Sequence, residues 1–159
     1  MGQKREEFAA GAIAMAEKEK DYFDIAHAKV KIDSGVRVPS RDGAHQIELR
    51  VYSHAEVQKD APVYVYAHGG GGFVFDAKTA DNMMAVSCLN LDCVIISVDF
   101  RNGPEVKCPV GQEDFVDAVN YIFAHPADFA SGIDLSRVCL AGISGGGWIV
   151  AGAANILAK

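Results

Sequence analysis

Two hydrophobic rhythms run along this chain, and they change near residue 60. Within residues 36–52, VRVPSRDGAHQIELRVY, apolar and polar positions alternate: Ile47, Leu49 and Val51 share one side, Glu48 and Arg50 the other. A period of two belongs to a half-buried strand, and the Asp42-Gly43 pair between the two runs marks a tight turn. The pattern predicts an antiparallel hairpin with one wet face. Further on the alternation is lost. Residues 63–67, 93–100 (CVIISVDF) and 138–141 are short, near-continuous apolar runs, as expected of strands covered on both faces of a parallel sheet. Helical periods separate them. Residues 78–91 suit one helix, and residues 112–124 suit another, with Phe115, Val119, Ile122 and Phe123 on its inner side. The His125-Pro126 step ends that helix, because a residue before proline avoids the α region. Strands alternating with helices predict an α/β fold, a mostly parallel sheet with helices on both faces and an antiparallel N-terminal hairpin.

Residues 3–29 read as a helix with a narrow apolar stripe of Phe8, Ala12, Met15, Ala16, Phe23 and Ala26. The expected organisation is a helical arm or lid over residues 1–35, followed by one α/β domain over 36–159. An arm packed on the domain is the plainer reading, and a lid over a pocket is the functional one. The 159 residues, half of them apolar and 23% charged, suffice for one globular domain with its own core.

The net charge of -6 argues against nucleic acid, whose binders need a basic patch to release counterions. No run approaches the length of a membrane span. The apolar segment 8–16 follows Glu6 and Glu7 rather than an uninterrupted basic start, so it reads as helix and not as a signal peptide. Cys88, Cys93, Cys108 and Cys139 form no CxxC pair and show no metal-ligand spacing, so no metal or cofactor is expected. Cys93 and Cys139 fall inside apolar runs and are expected as buried free thiols of a reducing compartment, which makes the cytoplasm the expected location.

Two glycine-rich turns carry the chemistry. Gly142-Ile143-Ser144-Gly145-Gly146 joins an apolar strand to an apolar helix. A strand that turns at once into a helix strains the turning residue and leaves no room for side chains two positions away. That geometry projects a serine hydroxyl at the end of the sheet, with the next N–H aimed at a developing oxyanion. The alternatives fit less well. A phosphate loop would need a following Gly-Lys-Ser/Thr, and a dinucleotide turn would need GxGxxG near the first strand. The second turn, His68-Gly69-Gly70-Gly71-Gly72-Phe73, lets several main-chain N–H groups converge unobstructed, which is how an oxyanion hole is built from backbone.

Taken together these segments resemble the hormone-sensitive-lipase family of α/β-hydrolases, esterases and lipases marked by an HGGG loop. His68-Gly69-Gly70-Gly71 matches that loop, and DFRNGPE (residues 99–105) resembles the family's Asp-Tyr-Arg-x-x-Pro-Glu. CPVGQEDFVDAVNYI resembles its helix entry through Pro109, Glu113 and Asp114, and DLSRVCLAGISGGG resembles its nucleophile segment. The likeness runs over about residues 36–158. It implies Ser144 as nucleophile, the N–H groups of Gly70, Gly71 and Gly145 as the oxyanion hole, and His68 as a brace of that loop. It also implies structural roles for Asp99, Arg101 and Glu105, with Gly69, Gly72, Gly142 and Gly146 supporting the two turns. Three departures stand out: Ile143 where the family favours an acid, Gly145 where alanine is commoner, and the additional Gly72.

The family's triad runs Ser, then Asp or Glu, then His. Only 15 residues follow Ser144, and none is Asp, Glu or His. The upstream His27, His45, His54 and His125 fall in the arm, the hairpin or a helix end. The expectation is therefore the N-terminal part of a hydrolase of short-chain or moderately apolar esters, with its C-terminal strands missing and little activity of its own. The alternative is a non-catalytic ligand-binding or regulatory protein on the same fold. A further expectation is an exposed sheet edge at residues 138–141, through which the chain self-associates.

Overall fold

A computed structural model describes residues 20–54, 60–129 and 132–158. Helix α1 (Lys20–Lys29) leads into β1 (Val30–Pro39), which turns back as β2 (Gln46–His54). Strand β3 (Ala61–Ala67) follows, then a 3₁₀ turn (Ala77–Ala80) running into α2 (Asp81–Leu91), and β4 (Val94–Asp99). Helix α3 (Val110–Ala124), a second 3₁₀ turn (Pro126–Asp128), β5 (Ile133–Gly142) and α4 (Gly145–Leu157) complete the order. One five-stranded sheet results, in the order β1-β2-β4-β3-β5. The hairpin side is antiparallel, β1 with β2 and β2 with β4, whereas β4, β3 and β5 run parallel. The sheet is therefore mixed, and helices lie on both of its faces.

The expected elements are present with shifted bounds: β3, α3 and β5 are longer than expected, and α2 and β4 shorter. Strand β1 extends back to Val30, with a register break between Asp33 and Val36. Of the helix expected at residues 3–29, α1 accounts for 20–29. Phe8, Ala12, Met15 and Ala16 lie outside the described residues, and Ala26 is buried.

One face of the sheet packs Ile47, Leu49, Val65, Ile96 and Val98 against Phe115, Val119 and Ile122 of α3 and Ile149 and Ala153 of α4. Each buried valine, leucine, isoleucine or phenylalanine among them contributes roughly 1.5–3 kcal/mol. The other face packs Tyr52, Tyr66 and Ile95 against Ala26 of α1 and Met84, Ala85 and Cys88 of α2.

Three local expectations are corrected. The second face of the hairpin is not wet throughout. Arg50 forks Asp81 of α2 (Nε to Oδ1 2.9 Å, Nη2 to Oδ2 2.7 Å), and the fully buried Tyr52 donates its hydroxyl to the same carboxylate at 2.7 Å. On α3, Phe123 is 47% exposed, and the buried stripe runs instead through Phe115, Val116, Val119 and Ile122. Cys139 is exposed, because β5 ends the sheet and its outer face is uncovered. Cys93 is buried as expected, and all four thiols are free.

Three parallel strands end at the same edge of a sheet by construction. The loops after β3, β4 and β5 therefore meet at one place, where α/β proteins bind ligands. Among the described residues no helix is long and apolar enough to cross a membrane.

Burial pushes the Cys88 thiol up to about 12 and the Cys93 thiol up to about 11, so neither forms a nucleophilic thiolate near neutrality. Titration of the native chain with a disulfide reagent at pH 8 is expected to consume two thiols quickly, Cys108 and Cys139. The other two should react only in denaturant. Four fast thiols would contradict this packing.

Candidate active site

Ser144 occupies the single residue between the turn after β5 and the first turn of α4. Its backbone holds φ 52° and ψ -121°, outside the regions open to an ordinary L-residue. Such a conformation costs of order 1–3 kcal/mol and persists only where neighbours fix it. The turn is closed by Gly146 N–H donating to Ile143 C=O (2.9 Å) and Gly147 N–H donating to Ser144 C=O (3.0 Å). The flanking glycines are steric requirements: a Cβ on Gly142 would lie 2.5 Å from the Gly146 carbonyl, and one on Gly146 would lie 2.1 Å from Ala67 O. Ser144 is exposed, and among the described residues no hydrogen bond engages its hydroxyl.

The loop after β3 lies directly on this elbow. A Cβ built on Gly145 would be 2.6 Å from the Gly71 nitrogen, so the two main chains touch where only hydrogen fits. An alanine at 145, the residue commoner in the resembled family, would push the loop off its present seat. On the other flank, a Cβ at Gly69 would be 3.3 Å from Ile143 Cγ2 and 3.7 Å from Ser144 Cβ. Ile143 thus meets the loop through apolar contact where an acid would make a polar tie. Gly70, Gly71 and Gly72 all have positive φ (109°, 66° and 75°). The Gly70 carbonyl accepts from both Phe73 N–H and Val74 N–H at 3.1 Å, and the Gly72 carbonyl accepts from Gly103 N–H at 2.7 Å. Among the described residues no backbone bond takes the N–H of Gly70 or Gly71, and the Gly145 N–H is one of the orphan donors at the start of α4.

His68 is buried at the base of the loop. Its Nδ1 lies 2.8 Å from Gly69 O, and its ring stacks on Phe100 with centroids 4.3 Å apart. Burial holds its pKa below the ordinary imidazole value despite that bond. In the neutral ring Nδ1–H donates to the Gly69 carbonyl, while Nε2 is buried with no partner among the described residues.

The loop after β4 ties this edge to the rest of the fold. Asp99 accepts from Ala77 N–H at 3.0 Å, and its partial burial raises its pKa. Arg101 grips the fully buried Asp114 of α3 in bidentate fashion (Nε to Oδ2 2.9 Å, Nη2 to Oδ1 2.7 Å) and reaches Asp42 of the hairpin turn through Nη1 at 2.9 Å. That second bond, with one from Ser40, holds the Asp42 carboxyl well below the usual range. Glu105 is exposed and borders a cavity of about 310 Å³ together with His45, Asp76 and Asp99. A larger cavity of about 580 Å³ opens beside Gly71 and Gly72, walled by Phe73, Val106, Gln112 and Trp148.

The structure therefore brings His68, Gly69, Gly70, Gly71, Gly72, Gly142, Ser144, Gly145 and Gly146 together, with Asp99, Arg101 and Glu105 behind them. Of the four remaining histidines three are engaged elsewhere, His27 with Asn82 (2.8 Å), His54 with Asp92 (3.0 Å) and His125 against Tyr121, while His45 borders the smaller cavity. Sequence reasoning missed the Asp42 link, Trp148 and Gln112. Gln112 did carry a signal, because it is the polar member of the stripe that continues through Phe115 and Val119.

Two measurements test these supports. Arg101→Ala leaves the Asp114 carboxylate buried without its cation and is expected to destabilise the fold by about 3–5 kcal/mol in denaturant melts. Arg101→Lys should recover only part, since an ammonium cannot reproduce the fork. A loss under 1 kcal/mol would show that the clamp is dispensable. For His68 the folded pKa is depressed, so the unfolded chain binds the proton first as pH falls. Stability should therefore decline as pH drops below the ordinary 6.5 towards the lower folded value. Thermal melts between pH 7.5 and 5.5 should show that slope, and His68→Asn should flatten it.

Similarity to known proteins accords with this geometry. A family model for the alpha/beta hydrolase fold matches residues 64–159. Carboxylesterase NlhH of Mycobacterium tuberculosis is 35% identical over 115 residues, which cover 72% of this chain and 35% of that protein. Among solved structures, a bacterial heroin esterase superposes with a TM-score of 0.86 at 26% identity, covering 99% of this chain and 47% of that one. A hyperthermophilic esterase from the archaeon Pyrobaculum calidifontis does so with a TM-score of 0.79 at 27% identity, covering 99% and 48%. The chain spans about a third of the length of the first and about half of the other two. With its strained serine elbow seated on a glycine loop at the sheet edge, the chain belongs to the α/β-hydrolase fold family, among relatives that are esterases.

Proposed function

We propose that this chain carries the nucleophile and oxyanion machinery of a serine carboxylic-ester hydrolase acting on short-chain or moderately apolar esters. The observation that carries the reading is the seating of Gly145 on Gly71 beside a strained, exposed Ser144. Ser144 Oγ attacks the ester carbonyl carbon, and the hydroxyl proton passes to a base. The N–H groups of Gly70, Gly71 and Gly145 hold the oxyanion. Collapse of the tetrahedral species expels the alcohol and leaves an acyl-serine, which water then hydrolyses to the acid. Neutral His68 supports the loop through the Gly69 carbonyl and takes no proton. Among the described residues no histidine or carboxylate contacts the Ser144 hydroxyl, so attack and oxyanion binding are accounted for here and proton transfer is not. Without a base, an oxyanion hole and binding supply a residual acceleration of roughly 10³–10⁴ over water.

Intact-mass measurement after incubation with a fluorophosphonate tests the assignment. One adduct is expected, mapped to Ser144 and absent from Ser144→Ala. An adduct on another residue, or one that survives the substitution, would overturn it.

A further inference from the structure

Seven large apolar side chains stand exposed among the described residues, and they are not spread evenly. Three of them, Phe73 at 51%, Ile143 at 51% and Trp148 at 52%, belong to the two glycine-rich turns and the first turn of α4. Phe73 and Trp148 wall the same 580 Å³ cavity. Exposed apolar groups scattered singly need no explanation, but aromatic groups gathered on a concave surface mark a binding site.

Trp148 is the fourth residue of α4, about one helical turn past Ser144. Side chains on a helix lean toward its N-terminus, which carries this ring back toward the elbow. It reaches the glycine loop, because a Cβ built on Gly72 would lie 3.8 Å from Trp148 Cζ3. The adjacent Gly71 is the residue on which Gly145 is seated. Phe73 is backed by the loop after β4, where a Cβ on Gly103 would lie 2.9 Å from Phe73 Cε1. Neither ring stacks on another among the described residues. Two half-exposed aromatic rings therefore border, without a ring partner, the cavity that includes Gly71.

We propose that Trp148 is the specificity-determining residue of this cavity and that, with Phe73, it selects a flat aromatic ring as the variable group of the ester. Aromatic pairs gain from offset or edge-to-face contact beyond the area they bury, and an aliphatic ring of similar size does not share that gain. The cavity lies within the range of small-ligand pockets, about 300–1,000 Å³. Its continuity with Gly71 favours a substrate group over a second copy of the chain. The inference deepens the ester-hydrolase reading and rests on it for what the ring belongs to, but binding of the ring does not require Ser144.

Trp148 is the chain's single tryptophan, so its fluorescence reads occupancy in the native chain. Two ketones that resist hydrolysis, 4-phenyl-2-butanone and 4-cyclohexyl-2-butanone, differ in carrying a flat aromatic or a puckered aliphatic ring. The native chain is expected to bind the phenyl ketone about fivefold more tightly, the worth of one aromatic contact. By calorimetry, Trp148→Leu should abolish that preference, Phe73→Leu should reduce it, and Trp148→Phe should keep most of it. Both side chains are half exposed, so these variants are expected to fold. Bound phenyl ketone should also slow fluorophosphonate labelling of Ser144 severalfold. Equal affinities in the native chain, a preference that survives Trp148→Leu, one lost as fully in Trp148→Phe, or labelling indifferent to the bound ketone would each overturn the proposal. So would Trp148 emission that shifts with protein concentration alone, which would assign the face to a second copy. A Trp148-dependent phenyl preference in a chain that gives no Ser144 adduct supports the site while overturning the hydrolase reading. A Ser144 adduct without the preference does the reverse.

Discussion

The structure depends on a contact between two stretches of main chain. Gly145 rests on Gly71, and Gly146 rests on the carbonyls of Ala67 and His68, at distances that no side-chain carbon could tolerate. Ser144 stands between these contacts in a conformation that costs of order 1–3 kcal/mol by itself. Hydrogen bonds of the turn alone, each worth about 1 kcal/mol net, would scarcely hold it. The larger support is hydrophobic: β5 is fixed by β3, and α4 is fixed through Ile149 and Ala153 against the core that α3 completes. A helix and a strand anchored independently leave the residue between them no relaxed alternative.

The electrostatics around this edge follow the same logic of fixing main chain from behind. Burial keeps His68 neutral, so it steadies the loop by a hydrogen bond to Gly69 O and by stacking on Phe100 rather than by charge. Charge is placed one layer further back, where Arg101 joins α3 to the hairpin turn through Asp114 and Asp42. A pair of that kind adds little net stability when intact but strongly disfavours any rearrangement that separates it. It therefore fixes where the loop after β4 runs, and with it the position of Gly103, whose N–H holds the Gly72 carbonyl.

Most of the architecture was legible because the signals were local. The period of two around Asp42-Gly43 and the apolar runs at 63–67 and 93–100 are set by residues neighbouring in sequence, and the strands lie there; the glycines flanking Ser144 allowed other turns, and their close main-chain contacts fit the strand-to-helix elbow. What failed depended on neighbours. An apolar run implies burial only when both faces of the strand are covered, and β5 at the sheet edge leaves Cys139 exposed. Phe123 follows Ile122 on α3 and points out, because a helix buries a stripe and not a side of fixed width. Glu48 and Arg50 alternate correctly, yet the sequence alone could not show that α2 would arrive with Asp81 to meet Arg50. Candidate site residues far apart in sequence, such as Gly71 and Gly145, could be named from their motifs but not placed in contact.

Gln112 shows how a polar residue can be read once its surroundings are known. In the sequence it interrupts the apolar stripe of α3, where the plain expectation is a solvated face. Burial removes that option. An unpaired buried acceptor costs about 1–3 kcal/mol, and a glycine in place of alanine inside α4 costs about another 1 kcal/mol. These are large shares of the few kcal/mol that separate folded from unfolded chains. Packing alone would favour an aliphatic side chain at 112, but not alanine at 152, because any Cγ at 112 would meet a Cβ there at about 2.7 Å. The glycine at 152 therefore follows from the close approach of α4 to the Gln112 stem.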